Sequence, residues 1–244
     1  MSMVLGVTGG IATGKSTVLA MLKELGAAVL DADSVARDVL APGSEGESEA
    51  ISEFGAEILG ADGRIDRRKL GERVFGDENA LKRLNEITHP RIIAILDQRI
   101  GEFRKDHADD GVLAVEIPLL VECDLSYLVD KVIVVVSEQA AQIHRLKMRS
   151  KLSAEEAAQR IAAQIPVSEK EEYGDWVVRT DGTLEETRRQ VEQIWRQIGT
   201  KPQQSLYQPD TTDRTPPAEV SPPPAPRHQR GLSGTPLSAD RVWL

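Results

Sequence analysis

Cysteine is almost missing from this chain. Cys123 is the single one among 244 residues, so no intramolecular disulfide can form, and a partly buried, inert thiol is the expectation. Asparagine is nearly as scarce. Asn79 and Asn85 are the two present, neither is followed by Lys, and no Asp stands three places before a Gly. The N-K-x-D base-reading motif and the D-x-x-G switch of GTPases are therefore lacking, which excludes that class. No apolar run is long enough to cross a bilayer. The first residues also lack the basic segment and apolar stretch of a secretory signal, so a cytoplasmic protein is expected. Excess positive charge is absent too. The net charge of −9 argues against broad binding to nucleic acid or to a membrane surface.

What is present begins at the N-terminus. Met3 to Thr8 is a short, β-branched apolar run suited to a buried parallel strand. Gly9-Gly10-Ile11-Ala12-Thr13-Gly14-Lys15-Ser16 follows it and matches the phosphate-binding loop G-x-x-x-x-G-K-[ST]. Thr17 to Leu25 then reads as a helix with Val18, Leu19, Leu22 and Leu25 on one face. The chemistry needs this order. Glycines let successive N–H groups turn inward toward phosphate oxygens, and the helix adds its positive end. Gly10 to Thr17 are the candidate ATP contacts. Lys15 would reach the β- and γ-phosphates, and the Ser16 hydroxyl would ligate Mg²⁺. Strand before and helix after make a chance glycine-rich turn a poor alternative.

Further along, apolar strand-like runs alternate with helical ones, the pattern of a parallel α/β sheet of five strands. Ala27–Leu30, Val112–Ile117, Lys131–Val136 and Trp176–Arg179 are the remaining strands. Ser34 is the expected N-cap of a helix running to about Ala41. From about 34 to 105 strand signals are lacking, so this stretch reads as a helical insertion that binds the acceptor. Pro90 should kink or end a helix around Thr88. Ser137 is expected to cap a helix bearing His144, Arg145, Lys147 and Arg149, and Ser153 with Glu156 fits a capping box for the next. Together, about 138 to 166 form a helical lid. Thr183 to Ile198 closes the fold with Leu184, Val191, Ile194 and Ile198 as its apolar stripe.

Beyond Lys201 the composition changes. Nine of the thirteen prolines lie there, and the segment carries +1 against −10 for the body. With little to bury, residues 201–244 are expected to be a disordered, proline-rich extension to a domain spanning 1–200.

GGIATGKST, DADSVAR (Asp31 to Arg37), THP (Thr88 to Pro90), PLLVE (Pro118 to Glu122), Arg145-Leu146 with Arg149, and RIAAQ (Arg160 to Gln164) occur in this order. In that combination the chain resembles the dephospho-CoA kinases over residues 1 to about 199. The resemblance implies a P-loop core, a helical acceptor domain and a lid. It also implies transfer of the γ-phosphoryl group of ATP to the ribose 3′-hydroxyl of dephospho-CoA, with Mg²⁺, in the last step of CoA synthesis. A monomer is favoured. Two positions depart from the family. Val121 replaces a common Phe, and Thr180 stands where the family often has an Asn before a glycine, so Thr180 would have to serve any adenine contact made there.

On this reading Lys15, Asp33 and Arg149 carry the catalysis. Asp33 follows strand 2 and would take the hydroxyl proton or hold Mg²⁺ through water. Arg145 and Arg149 are four residues apart on one helix face and would close over the phosphates. Asp31, Asp33, His89, Leu120 and Glu122 are candidate acceptor contacts, although Asp31 could equally cap the following helix. A P-loop kinase for another small acceptor, such as a nucleoside monophosphate, is the alternative, and the DAD and RIAAQ elements count against it. A non-catalytic scaffold using the proline-rich segment is the third and weakest reading.

Overall fold

The computed structural model describes residues 2–74, 76–108, 110–150 and 153–199, so the expected disorder of residues 201–244 lies outside the described residues. Contacts divide the chain into two compact units. One comprises the chain up to Leu30 and again from Ile100, and the other is Asp31–Arg99.

The first unit is built on β1 (Met3–Gly9), of which every residue after Met3 is buried. A strand covered on both faces needs such a continuous apolar run. Five strands form one sheet in the order β2 (Ala28–Asp31), β3 (Val112–Glu116), β1, β4 (Lys131–Val136), β5 (Trp176–Arg179). β1 runs parallel to both neighbours, with Leu5 opposite Ala114 on one side and Lys131 on the other, and β4 runs parallel to β5. Two helices, α1 (Lys15–Glu24) and α9 (Leu184–Ile198), cover the sheet. Val18 and Leu22 of the first meet Val191, Ile194 and Trp195 of the second over Leu5, Val7, Ile133 and Val135. Each such aliphatic side chain contributes about 1.5–3 kcal/mol on burial. Thr183 and Glu186 form a reciprocal capping box at the start of α9. Leu184 leaves the expected stripe: it lies in the first turn and is 69% exposed.

Three further helices separate β4 from β5: α6 (Gln139–Ser150), α7 (Ala154–Ala162) and the short α8 (Val167–Glu171). The Ser153–Glu156 capping box forms as expected. Ser137 acts otherwise. Its hydroxyl donates to Asp181 at 2.7 Å, and the same Asp181 carboxylate accepts the Glu138 N–H. The first turn of α6 is thus tied to the loop after β5 by a side chain distant in sequence.

The second unit is helical, with α2 (Ala32–Val39), α3 (Glu45–Phe54), α4 (Arg67–Val74) and most of α5 (Glu78–Asp106). Phe54, Ile58, Leu70, Val74, Leu81, Leu84 and Ile87 make its core. Helix α2 starts earlier than its sequence indicates, because Asp31 rather than Ser34 is the cap, accepting the Asp33 N–H at 2.9 Å. Helix α5 passes through Pro90 without ending, so of the kink or end expected there the ending does not occur. Thr88 Oγ1 donates to the Leu84 carbonyl and Arg91 to that of Ile87, on either side of the Glu86 carbonyl to which Pro90 has no N–H to give. Leu84, Ile87, Ile92 and Leu96 are fully buried around it. Their burial outweighs a local cost of about 3 kcal/mol.

At the carboxyl ends of β1 and β3 lies a buried charge. Lys170 of α8 is fully buried and pairs with Glu122, whose side chain is 3% exposed. The Lys170 ammonium also lies 3.4 Å from the Pro118 carbonyl, to which Thr8 Oγ1 donates. Lys170→Met leaves the Glu122 charge buried without this partner and is expected to cost about 3–5 kcal/mol of unfolding free energy. The double variant with Glu122→Leu should recover most of that loss in denaturant titration. Equal loss in both variants would show that packing, not charge, is what the pair supplies.

Candidate active site

The P-loop departs from ordinary backbone where its glycines stand. A Cβ on Gly9 would lie 2.2 Å from the Val135 carbonyl oxygen, so β4 admits only glycine there. Ala12 (φ 57°) and Gly14 (φ 93°) are both left-handed. Such alternation turns successive N–H groups into a concave nest for an anion. Helix α1 starts directly after Gly14 with no side-chain cap, so its first N–H groups, which have no intrahelical acceptor, face the nest. Lys15 Nζ folds over the loop, 3.2 Å from the Gly9 carbonyl and 3.0 Å from that of Gly10.

The loop is fastened from behind. Gln142 Nε2 donates to the Ile11 carbonyl at 2.8 Å, Arg145 to that of Ala12 at 3.0 Å, and Thr180 Oγ1 to that of Thr13 at 2.6 Å. Gln164 Oε1 accepts the Ile11 N–H at 2.6 Å. Arg145 also donates to the Ser137 and Thr180 hydroxyls and to the Thr180 carbonyl. Its guanidinium thereby holds loop backbone while it also lines the cavity beside the loop. Thr180, 6% exposed, is likewise committed to the loop rather than to a base.

Beside the loop opens a cavity of about 700 Å³, large enough for a nucleotide. Ala12, Gly14, Ser16 and Thr17 line its phosphate end, His144, Arg145 and Arg149 line it from α6, and Thr180 lines it from beyond β5. Two exposed apolar side chains, Met148 (75%) and Leu184 (69%), stand on its walls. The structure thus brings together Ala12, Gly14, Ser16, Thr17, Arg145 and Arg149.

Other candidates fall elsewhere. Leu120 is fully buried, close against Gly6 of β1, and Glu122 is held in its ion pair with Lys170. As acceptor contacts these two are corrected: both act inside the first unit's core, and Val121 beside them is buried as well. In the second unit Asp31 performs the capping role and pairs with Arg37 at 3.4 Å. Asp33 is exposed in the first turn of α2. It attracts Arg67, whose pKa is nevertheless lowered by burial and by the like charge of Arg37. Arg67 was not legible as a site residue, since the sequence shows it only as one basic residue among several at the start of α4. Gln142 is in the same position, a lone polar residue in a helix.

A family model matches residues 3–186, and it is that of dephospho-CoA kinase. The chain belongs to the dephospho-CoA kinase family. A relative from Carboxydothermus hydrogenoformans named dephospho-CoA kinase is 45% identical over 188 residues, covering 77% of this chain and 90% of its own. Another of that name, from Geobacter sulfurreducens, is 43% identical over 192 residues, covering 79% and 96%. Among solved structures, a dephospho-CoA kinase from Campylobacter jejuni superposes with a TM-score of 0.57 at 31% identity, covering 81% of this chain and 97% of that one. A Thermus thermophilus protein gives 0.67 at 32% identity, covering 81% and 98%.

In this family member His89 sits half-buried in α5, and burial pushes its imidazole down to about 4. It is neutral near pH 7 and offers no positive charge to a phosphate. The unfolded chain binds the proton at about 6.5, so this residue's contribution to stability is complete above that pH. It is lost as pH falls toward 4. His89→Gln should flatten the fall in melting temperature between about pH 6.5 and 4. An unchanged slope would place the acid sensitivity in other groups.

Proposed function

We infer that this chain transfers the γ-phosphoryl group of ATP to the ribose 3′-hydroxyl of dephospho-CoA, giving CoA and ADP. The observation that carries the reading is a left-handed N–H nest opening into a nucleotide-sized cavity, in a chain of this family. Nothing favours a nucleoside monophosphate as acceptor. ATP turnover tested with dephospho-CoA, AMP, CMP, shikimate and no acceptor should be fast with dephospho-CoA alone. Equal or faster turnover with AMP or CMP would move the assignment to that class.

The roles follow from phosphoryl-transfer chemistry, which asks a protein for positioning and charge rather than covalent work. Loop amides and Lys15 hold the β- and γ-phosphates. Arg149, which lines the cavity with Arg145, takes charge that develops on the transferring group, and Arg145 also holds the loop. Met148 and Leu184 offer apolar walls to the adenine ring. The exposed Ser16 hydroxyl, at the first turn of α1 and on the cavity wall, is an oxygen donor of the kind a hard cation takes. It would hold Mg²⁺, with Asp33 through water, and the ion would neutralise phosphate charge when bound. Arg37 and Arg67, beside Asp33, suit the diphosphate of the acceptor. Placement in the cytoplasm belongs to the same proposal and rests on the single cysteine.

Asp33 is the proposed base. Both Asp33 and the P-loop follow the carboxyl ends of strands, where parallel sheets bind ligands. Capping does not account for Asp33, because Asp31 performs it. Asp33→Asn should lower kcat by at least about 10²-fold, within the range of general-base groups, while ATP affinity and melting temperature hold. Near-normal turnover would remove Asp33 from the chemistry.

A further inference from the structure

Both backbone groups of Ile11 are held by glutamines from outside the loop. Its N–H donates to Gln164 Oε1 at 2.6 Å, and its carbonyl accepts from Gln142 Nε2 at 2.8 Å. Gln142 lies on α6 and is 2% exposed, and Gln164 comes two residues after the last residue of α7. A Cβ on Gly10 would stand 3.0 Å from Gln142 Nε2 and 3.4 Å from Gln164 Oε1, so both amides close on a stretch of bare backbone. Backbone partners leave no choice of orientation: Gln142 must donate and Gln164 must accept.

We propose that Gln142 and Gln164 are positioning residues for the nucleotide. Gln142 fixes the peptide after Ile11 so that it presents its N–H to phosphate, and Gln164 fixes the peptide before it so that its carbonyl meets Lys15. In a trans peptide the C=O and N–H point opposite ways. Anchoring the Ile11 carbonyl outward therefore aims the Ala12 N–H inward, and anchoring the Thr13 carbonyl with Thr180 does the same for Gly14. Gln164 draws the Ile11 N–H to the rear, which by the same rule turns the Gly10 carbonyl forward, where Lys15 Nζ donates to it at 3.0 Å. Without these anchors the left-handed Ala12 is free to relax, and a relaxed loop directs carbonyl oxygen at an anion. The glutamines act through the backbone, so their effect falls on ATP and spares the acceptor. This inference rests on ATP binding at the P-loop.

The opposite polarities give the test. Gln164→Glu keeps an acceptor for the Ile11 N–H, whereas Gln142→Glu sets a carboxylate against the Ile11 carbonyl. Each adds the same charge beside the same loop residue, so repulsion of the triphosphate is common to both and cancels in the comparison. ATP affinity of the full chain by calorimetry, KM for ATP and for dephospho-CoA, and melting temperature are the readouts. Gln142→Glu should weaken ATP at least about tenfold more than Gln164→Glu, the scale of one lost and one repulsive hydrogen bond. KM for dephospho-CoA should stay within about twofold, since a hydrogen bond on the loop carries no acceptor contact. Equal losses at the two positions, a larger loss at Gln164, or parallel rises for both substrates would overturn the proposal. If Gln142→Glu fails to fold, the Gln→Met variants serve, each expected to weaken ATP by about 5- to 30-fold. Unchanged affinity there overturns it. Absence of ATP binding by the unaltered chain would instead sink the functional reading itself.

Discussion

An anion held by backbone N–H groups forces a problem on the other side of the same peptides. Every N–H turned inward sends a carbonyl outward, and a carbonyl left dry and unpaired costs about 1–3 kcal/mol. Here three consecutive carbonyls, those of Ile11, Ala12 and Thr13, are met by Gln142, Arg145 and Thr180. Most of the first unit's irregular features follow from that requirement. Helix α6 must lie behind the loop to supply two of the donors, and the segment after β5 must return there to supply the third. Asp181, by engaging Ser137 and the Glu138 N–H, secures that segment to the start of α6. The phosphate cradle is thus completed by residues more than 120 positions away in the chain.

Seen this way, it is plain which parts of the structure the sequence could disclose. β4 was readable to the residue because a buried parallel strand is a continuous apolar run, and β5, at the sheet edge, through its Trp-Val-Val run. The capping box at Ser153 was readable because both partners lie within one turn. Interactions that depend on distant partners were not. Pro90 reads as a break, yet α5 continues, because four fully buried aliphatic residues around it outweigh a local cost. Ser137 has the residue type of a cap but bonds Asp181 instead. Leu120 reads as a site residue through its motif, while its place beneath Gly6 depends on the pairing of β1 and β3.

The site divides along the same line. The loop and Ser16 were legible because the motif is local. Asp33 and Arg67 are neighbours only through the packing of α2 and α4, so their electrostatic coupling leaves no mark in the sequence. Lys170 shows the same limit in sharper form. A lysine in a run of Glu and Lys residues looks like a solvated surface, and it is the fully buried partner of Glu122. Burying such a pair is a poor source of net stability. Its service is orientation: it holds the turn after β3, through Glu122 and the Pro118 carbonyl, against the end of β1 that leads into the P-loop.

Arg145 and Arg149 make the division of labour explicit. They are four residues apart and alike in charge, so helix geometry alone assigns them one face and one task. The structure separates them by what lies opposite. Arg145 meets the Ala12 carbonyl, two hydroxyls and the Thr180 carbonyl, and its planar fork suits several fixed acceptors at once. Both line the cavity, Arg149 from one turn further along α6. Thr180 explains why the first arginine is drawn inward. Its hydroxyl accepts from Arg145 while donating to Thr13, relaying one guanidinium to two loop carbonyls. A side chain with a single polar atom can do this only if that atom both gives and takes a proton, as a hydroxyl does. The threonine at this departure from the family pattern is therefore coupled to the loop it supports.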